Sequence, residues 1–142
     1  MPEVEYNLAD LWEKVADTVG DREAMVCGER RLTFAVAEER ANRLAHALAA
    51  RGVGPGDHVA LYLYNGTEYI EGMLAAFNLS AVPINVNYRY RAGELEHLYD
   101  DADLVALVEL GVRQPARRCV DRRPVADDVD DELEQLGEVE AH

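Results

Sequence analysis

The stretch from Ile70 to Val108 limits what this chain can fold into more than any other. It reads IEGMLAAFNLSAVPINVNYRYRAGELEHLYDDADLVALV. Ile70, Met73, Leu74 and Phe77 recur at helical spacing, which predicts a helix with one buried face. A short apolar run follows, Ala81 to Val86, then a polar loop bearing Tyr and Arg. A second helix-like segment covers Gly93 to Tyr99, and a last apolar run covers Leu104 to Val108. Short continuous apolar runs between helices predict strands covered on both faces, as in parallel sheets. The rhythm is β-α-β, and the expected fold class is α/β: a partial, mostly parallel sheet flanked by helices.

The residues upstream lead into that unit. Asn7 is placed to cap a helix, with Asp10 three residues on. Leu8, Leu11, Trp12, Val15, Ala16 and Val19 then mark a stripe read as core packing, ending near Gly20. Ala24 to Cys27 and Arg31 to Phe34 flank Gly28-Glu29, which predicts a hairpin. Thr33 is the expected cap of the next helix, although Val36 stands where a full capping box needs Glu or Gln. Ala37, Ala41, Leu44, Ala45 and Leu48 form its buried face. Glu39, Arg40 and Arg43 fall on other faces, with Glu39 and Arg43 at pairing distance. Gly52 is the expected residue ending this helix. Val53-Gly54-Pro55-Gly56-Asp57 reads as a rigid turn, His58 to Tyr64 as a strand, and Thr67 as the cap of the following helix.

After Val108 the pattern fails. Gly111 to Pro124 holds two prolines and five arginines without an apolar period. Asp127 to Glu140 is acidic, with only Val129, Leu133, Leu136 and Val139 at helical spacing. The expected division is therefore a folded segment over 1–109 and a weakly ordered tail over 110–142. A chain of 142 residues has room for one domain with a core.

Charge excludes some partners. The formal net charge of -14 argues against nucleic acid and anionic membrane, both polyanions. No apolar run reaches the ~20 residues that span a bilayer. Cys27 and Cys119 do not make a disulfide framework, and the N-terminus lacks a basic region before an apolar core. A reducing, cytoplasmic setting is expected. The patterns Asn65-Gly66-Thr67 and Asn78-Leu79-Ser80 are then chance matches to a glycosylation signal.

Few residues assemble into a site. The glycine-rich Gly52 to Gly56 follows a helix and precedes a strand, whereas a phosphate loop follows a strand and opens a helix. It reads as a structural turn. His46, His58, His97 and His142 have no ligand spacing. Asp100, Asp101 and Asp103 read as a solvated face. So do Asp128, Asp130 and Glu132, because Leu133 stands where a calcium loop needs glycine. The best ligand-site candidate is Asn85, Asn87, Tyr88, Arg89, Tyr90 and Arg91, just past a predicted strand. Ligands bind beyond the carboxyl ends of strands in open α/β sheets. Arg89 or Arg91 could hold a phosphate or carboxylate; the simpler reading is that these arginines and tyrosines pair with neighbouring loops.

Several spaced motifs resemble one family. Leu32-Thr33-Phe34, Arg40-Ala41-Asn42-Arg43-Leu44-Ala45 and Gly52 to Leu61 (GVGPGDHVAL) resemble the opening of the adenylate-forming enzymes, acyl-CoA synthetase branch. Leu74-Ala75-Ala76-Phe77, Ala81-Val82-Pro83-Ile84-Asn85, Asn87-Tyr88-Arg89-Tyr90 and Glu94-Leu95 resemble the family's next block, in order. The resemblance covers Asn7 to Val108. Ser80 departs from the family's usual Leu-Gly-Ala, and Val36 from its usual Glu.

The resemblance implies the N-terminal portion of an AMP-binding domain. The full-length family activates a carboxylic acid with ATP and Mg to an acyl-adenylate, then transfers the acyl group to CoA. The NVNYRY segment resembles actinobacterial fatty-acid-CoA ligases, whose substrates include medium or long acyl chains and sterol side chains. The family's phosphate loop and catalytic lysine have no counterpart here, and Lys14 matches no such motif. Adenylation needs cations against the charge developing on phosphate. No catalytic, cofactor-binding or metal residue is therefore expected, nor any cofactor for this chain alone. The expectation is a truncated ligase, not competent by itself, with residues after Val108 read out of frame or newly acquired. The rival readings are a stand-alone binding module and one piece of a split ligase. An unpaired edge strand and uncovered helix faces imply marginal stability or self-association.

Overall fold

The computed structural model describes residues 7–109. Their order is α1 (Leu8–Val19), β1 (Glu23–Cys27), β2 (Arg30–Thr33), α2 (Phe34–Ala50), β3 (His58–Tyr62), α3 (Thr67–Asn78), β4 (Val82–Asn85), α4 (Ala92–Asp101) and β5 (Leu104–Glu109).

Local chemistry sets most of the boundaries. Asn7 Oδ1 accepts the Ala9 N–H at 2.7 Å, and Asp10 Oδ2 accepts the Asn7 N–H at 3.1 Å, so α1 starts where the cap was expected. β1 and β2 pair antiparallel across Gly28, whose φ of +60° suits a residue without Cβ. Thr33 Oγ1 accepts the Val36 N–H at 3.3 Å and opens α2. That helix ends with Gly52 N–H on Ala49 O (2.9 Å) and Val53 N–H on Leu48 O (3.1 Å), with Gly52 at φ +88°. This is the left-handed closure that glycine provides at a helix end. Gly54-Pro55-Gly56-Asp57 is a tight turn closed by Asp57 N–H on Gly54 O at 3.2 Å, with Gly56 at φ +78°.

β4, β3 and β5 form a parallel sheet in that order. The step from β3 to β4 runs one way and the step from β4 to β5 runs back past β3. Crossovers between parallel strands are right-handed, so the two helices fall on opposite faces. The core follows that division. Val59 and Leu61 pack with Leu44, Ala45 and Leu48 of α2 and Ala75 and Ala76 of α3. Ala60 and Tyr62 pack with Leu95, Leu98 and Tyr99 of α4. β3 is buried on both faces as expected; at the edge, Val82 and Asn85 of β4 are exposed. Val105 is an extra residue relative to β3, and this bulge lets Leu104 join one face while Ala106 and Val108 join the other.

Five expectations are corrected. The strand starting at His58 ends at Tyr62, before Tyr64. On α1 only Ala16 is buried; Leu8, Leu11 and Val15 are 59%, 49% and 41% exposed, because α2 and α3 cover only the side bearing Trp12 and Ala16. Trp12 stacks at a tilt on Phe34, with centroids 5.1 Å apart. On α3 Leu74 is buried and Met73 packs on the core as expected, but Ile70 is exposed and Gly72, Ala75 and Ala76 form the close face. A methyl group at Gly72 would meet Leu61 Cδ2 at 3.0 Å, so the small residues let the helix lie tight on the sheet. Gly66, in extended backbone, precedes α3 without a side-chain cap, and Thr67 is buried inside its first turn. Glu68 occupies the space beside Gly66 and pairs with Arg30, placing a carboxylate at the positive end of the helix. Last, Arg40 is buried: its Nε and Nη2 donate to Glu71 Oε1 at 2.7 Å and Oε2 at 3.0 Å, joining α2 to α3. The Glu39–Arg43 pair forms as expected. Residues 110–142, with the expected tail, lie outside the described residues.

Candidate functional site

The connections leaving β3 and β4 depart toward opposite faces of the sheet, which opens a crevice between their carboxyl ends. One lip is Leu63 to Gly66 and the other is Val86 to Arg91. The sequence places its best ligand candidate on the second lip, and the fold brings those residues to the crevice.

Contacts within the lips are local. The Tyr62 hydroxyl lies 3.0 Å from Tyr88 O and 3.1 Å from Tyr90 O, so its single proton is shared between two loop carbonyls. The Tyr64 and Tyr88 rings meet across the crevice, centroids 4.7 Å apart and planes at 44°. Arg89 lies over the Tyr88 ring at 5.4 Å from its centroid, and its Nε donates to the Tyr88 hydroxyl at 3.2 Å. Asn87 Oδ1 accepts the Arg89 N–H at 3.0 Å, and Glu94 Oε2 accepts the Arg91 N–H at 2.8 Å. The loop thus largely satisfies itself, as the simpler sequence reading has it. What it offers outward is positive charge on the exposed arginines Arg89 and Arg91 and the faces of Tyr64 and Tyr88. That arrangement can hold an anion or stack a flat ring; it carries no nucleophile or proton-transfer pair.

The other candidates fall apart in space. Gly52 to Gly56 lies at the amino end of β3, opposite the crevice. Asp57 Oδ2 accepts the Gly54 N–H at 2.8 Å there, a turn with its own acceptor. His58 Nδ1 donates to Ala102 O at 2.5 Å, tying β3 to the end of α4. His97 pairs with Asp101 at 3.6 Å on an exposed helix face. Among the described residues no three His, Cys, Asp or Glu side chains are grouped to hold a metal ion. His142, Cys119, Asp128, Asp130, Glu132 and Leu133 lie outside the described residues, and Cys27 is exposed on the hairpin.

Sequence reasoning misses a polar seam behind α1. Asn78 Nδ2 donates to Asn42 Oδ1 at 2.7 Å, Asn42 Nδ2 to Glu38 Oε1 at 2.9 Å, and Asn7 Nδ2 to Phe77 O at 3.0 Å. An open groove of about 420 Å³ between α1 and α2 runs beside it, lined by Asp17, Glu38, Glu39, Asn42, Arg43 and His46. Only the i, i+4 spacing of Glu38 and Asn42 signals it in sequence; Asn78 is brought in by the fold.

A family model described as AMP-binding enzyme matches residues 12–141. The chain belongs to the AMP-binding enzyme family. Its fold is that of an AMP-binding domain's sheet with flanking helices. Over 105 residues it is 51% identical to the medium/long-chain-fatty-acid–CoA/3-oxocholest-4-en-26-oate–CoA ligase of Mycobacterium marinum, covering 74% of this chain and 19% of that protein. The ligase of the same description from Mycolicibacterium smegmatis is 39% identical over 144 residues, covering 94% of this chain and 26% of that protein. The solved N-terminal domain of FACL13 from Mycobacterium tuberculosis superposes with a TM-score of 0.70 at 28% identity, covering 74% of this chain and 27% of that one. This chain therefore spans about a fifth to a quarter of the length of these curated relatives. The family match continues past Val108, where the motifs quoted above stop, to residue 141. Among the described residues no helix is long and apolar enough to cross a membrane.

Proposed function

We propose that this chain supplies the N-terminal scaffold of an acyl-CoA ligase. The complete enzyme activates a medium- or long-chain fatty acid, or a sterol-derived acid, with ATP and Mg, and passes the acyl group to CoA in the cytoplasm. The supporting observation is the 51% identity over 105 residues to a ligase of that description. Inside that stretch the motifs that carry the resemblance are structural. Arg40 lies in the α2–α3 ion pair, Gly52 to Asp57 forms the turns into β3, and the Asn87 to Tyr90 loop closes on itself.

On this reading residues 1–109 form the N-terminal segment of the AMP-binding domain, 110–142 form a separate tail, and no residue of the chain is catalytic or binds cofactor or metal. Acid, ATP and CoA meet it only when the regions carrying the phosphate loop and catalytic lysine are joined to it. A stand-alone binding module has no observation of its own in its favour. Two measurements test the proposal. The isolated chain is expected to give no carboxylate-dependent ATP–pyrophosphate exchange. Residues 7–109, grafted in place of the matched stretch of the Mycobacterium marinum ligase, are expected to leave exchange intact. Exchange by the isolated chain, or a folded chimera without it, overturns the reading.

A further inference from the structure

The loop that carries Arg89 is tied to the sheet through one side chain. The β3–β4 ladder ends with Leu61 opposite Asn85, and its last backbone bond is the Val86 N–H on Leu61 O at 3.1 Å. Past Val86 the chain turns toward α4. Within 87–91 the backbone closes on its own neighbours. Tyr90 N–H goes to Asn87 O at 2.9 Å, and the Arg89 and Arg91 N–H groups go to the Asn87 and Glu94 side chains. Among the described residues, the hydrogen bonds that hold this loop to the sheet are the two at the Tyr62 hydroxyl, to Tyr88 O and Tyr90 O. Tyr62 is the last residue of β3, and its ring packs on the cluster of Ala60, Val86 and Leu104. The strand end fixes the ring, and the ring holds the loop.

Between the two tethered carbonyls stands Arg89. Its side chain is held as well: Nε donates to the Tyr88 hydroxyl at 3.2 Å, and the guanidinium lies 5.4 Å from the centre of the Tyr88 ring. That ring in turn meets Tyr64 on the other lip. With Nε taken, the two Nη groups have no hydrogen-bond partner among the described residues. A guanidinium held in this way is a fixed fork for two oxygens of one phosphate or carboxylate. Fixing it beforehand lowers the ordering cost of binding. We infer that Tyr62 is a positioning residue: its hydroxyl latches the 87–91 loop so that Arg89 presents its fork to an anionic oxygen group of a substrate. The inference rests on the reading of this chain as a ligase scaffold, because acid, ATP and CoA each carry such a group.

Tyr62→Phe removes the hydroxyl and keeps the ring in its cluster, so the fold stays and the latch goes. Two measurements read it. In the 142-residue chain, amide exchange at Arg89 and Tyr90 is expected to speed up about three- to tenfold, the worth of one hydrogen bond, while the α4 amides keep their rates. In the Mycobacterium marinum ligase carrying residues 7–109 of this chain, KM for acid, ATP and CoA is measured separately. Tyr62→Phe is expected to raise one of the three about three- to tenfold with kcat unchanged, and Arg89→Gln to raise the same one further. The KM that moves identifies the substrate whose anionic group seats at the crevice. A tyrosine with a structural role alone would loosen the α4 amides and leave no change confined to one KM. Loop amides indifferent to Tyr62→Phe, three unmoved KM values, or two variants that act on different substrates each overturn the inference. Failure of the ligase reading looks different: a folded graft without activity before any substitution removes that reading, and the loop amides of the chain itself still decide the latch.

Discussion

Ser80 shows how far single residues can be read. The sequence marks it only as a departure from a family pattern that has glycine there. The fold supplies the reason the pattern wants glycine. Ser80 ends α3 at φ +54°, with its N–H on Phe77 O at 2.9 Å and the Ala81 N–H on Ala76 O at 2.9 Å. Its own carbonyl accepts the Gly56 N–H at 2.9 Å, so the strained backbone also joins the turn before β3 to the start of β4. A left-handed L-residue costs about 1–2 kcal/mol, and glycine returns about 0.5–1 kcal/mol of that as unfolded-state entropy. Ser80→Gly is therefore expected to stabilise the chain by about 0.5–1 kcal/mol, raising the thermal midpoint by about 2–8 °C. Gly52→Ala, at φ +88°, should move the midpoint the other way. Urea melts of both variants check the pair; a Ser80→Gly protein no more stable than the parent would remove the strain argument. Asn7, Thr33 and Gly52 were legible because each acts on neighbours within five residues. Thr67 was misplaced for a related reason. The sequence shows a cap-type residue one position on, but only the fold shows Glu68, held by Arg30, filling the space where a residue at 66 would need a side chain.

At the scale of elements, periodicity told where helices lie better than which face meets what. Ala37, Ala41, Leu44, Ala45 and Leu48 are all buried on α2, as their spacing implies. Arg40 lies among them and reads from sequence as a surface charge. Its acceptor, Glu71, is 31 residues away on α3, and the pair is invisible until the two helices are packed. The site was legible to a similar depth. Its location followed from the end of an apolar run, but not the double acceptor for Tyr62 or the meeting of Tyr64 with Tyr88, which depend on a neighbouring strand end. The Arg40–Glu71 pair makes a specific expectation. Both side chains are almost wholly shielded, at 7% and 3% exposure, and the contact is bidentate. Removing one partner leaves a buried charge alone, at a cost of about 3–5 kcal/mol, whereas replacing both with apolar groups is close to neutral. Glu71→Ala is thus expected to unfold the chain at much lower denaturant, and Arg40→Met with Glu71→Leu to recover most of the loss. Chemical denaturation of the single and double variants decides it; a Glu71→Ala chain as stable as the parent would show that the pair does not hold α2 to α3.

At the scale of the molecule, two lines of reasoning about residues 110–142 diverge. Apolar periodicity stops at Val108, while the family match runs on to residue 141. The described core reaches as far along the chain as β5. β3 is buried on both faces between α2 and α3 on one side and α4 on the other, and both apolar clusters draw only on residues between Leu44 and Val108. A core of this extent suffices for a small domain of marginal stability. The expectation is that residues 1–109 alone keep the helical circular dichroism of the described elements and unfold cooperatively, within about 1 kcal/mol of the full chain, since 1–109 hold both described apolar clusters and changes away from a core alter stability little. The urea slope carries the sharper information, because it scales with surface exposed on unfolding. An unchanged slope means that 110–142 bury little against the sheet and that the domain boundary follows the apolar pattern. A slope and midpoint that both fall on truncation mean that these residues pack on the core, with the uncovered Leu8, Leu11 and Val15 of α1 and the outer side of β5 as the surfaces to probe first. In that case the family match, and not the periodicity, marks where the folded unit ends.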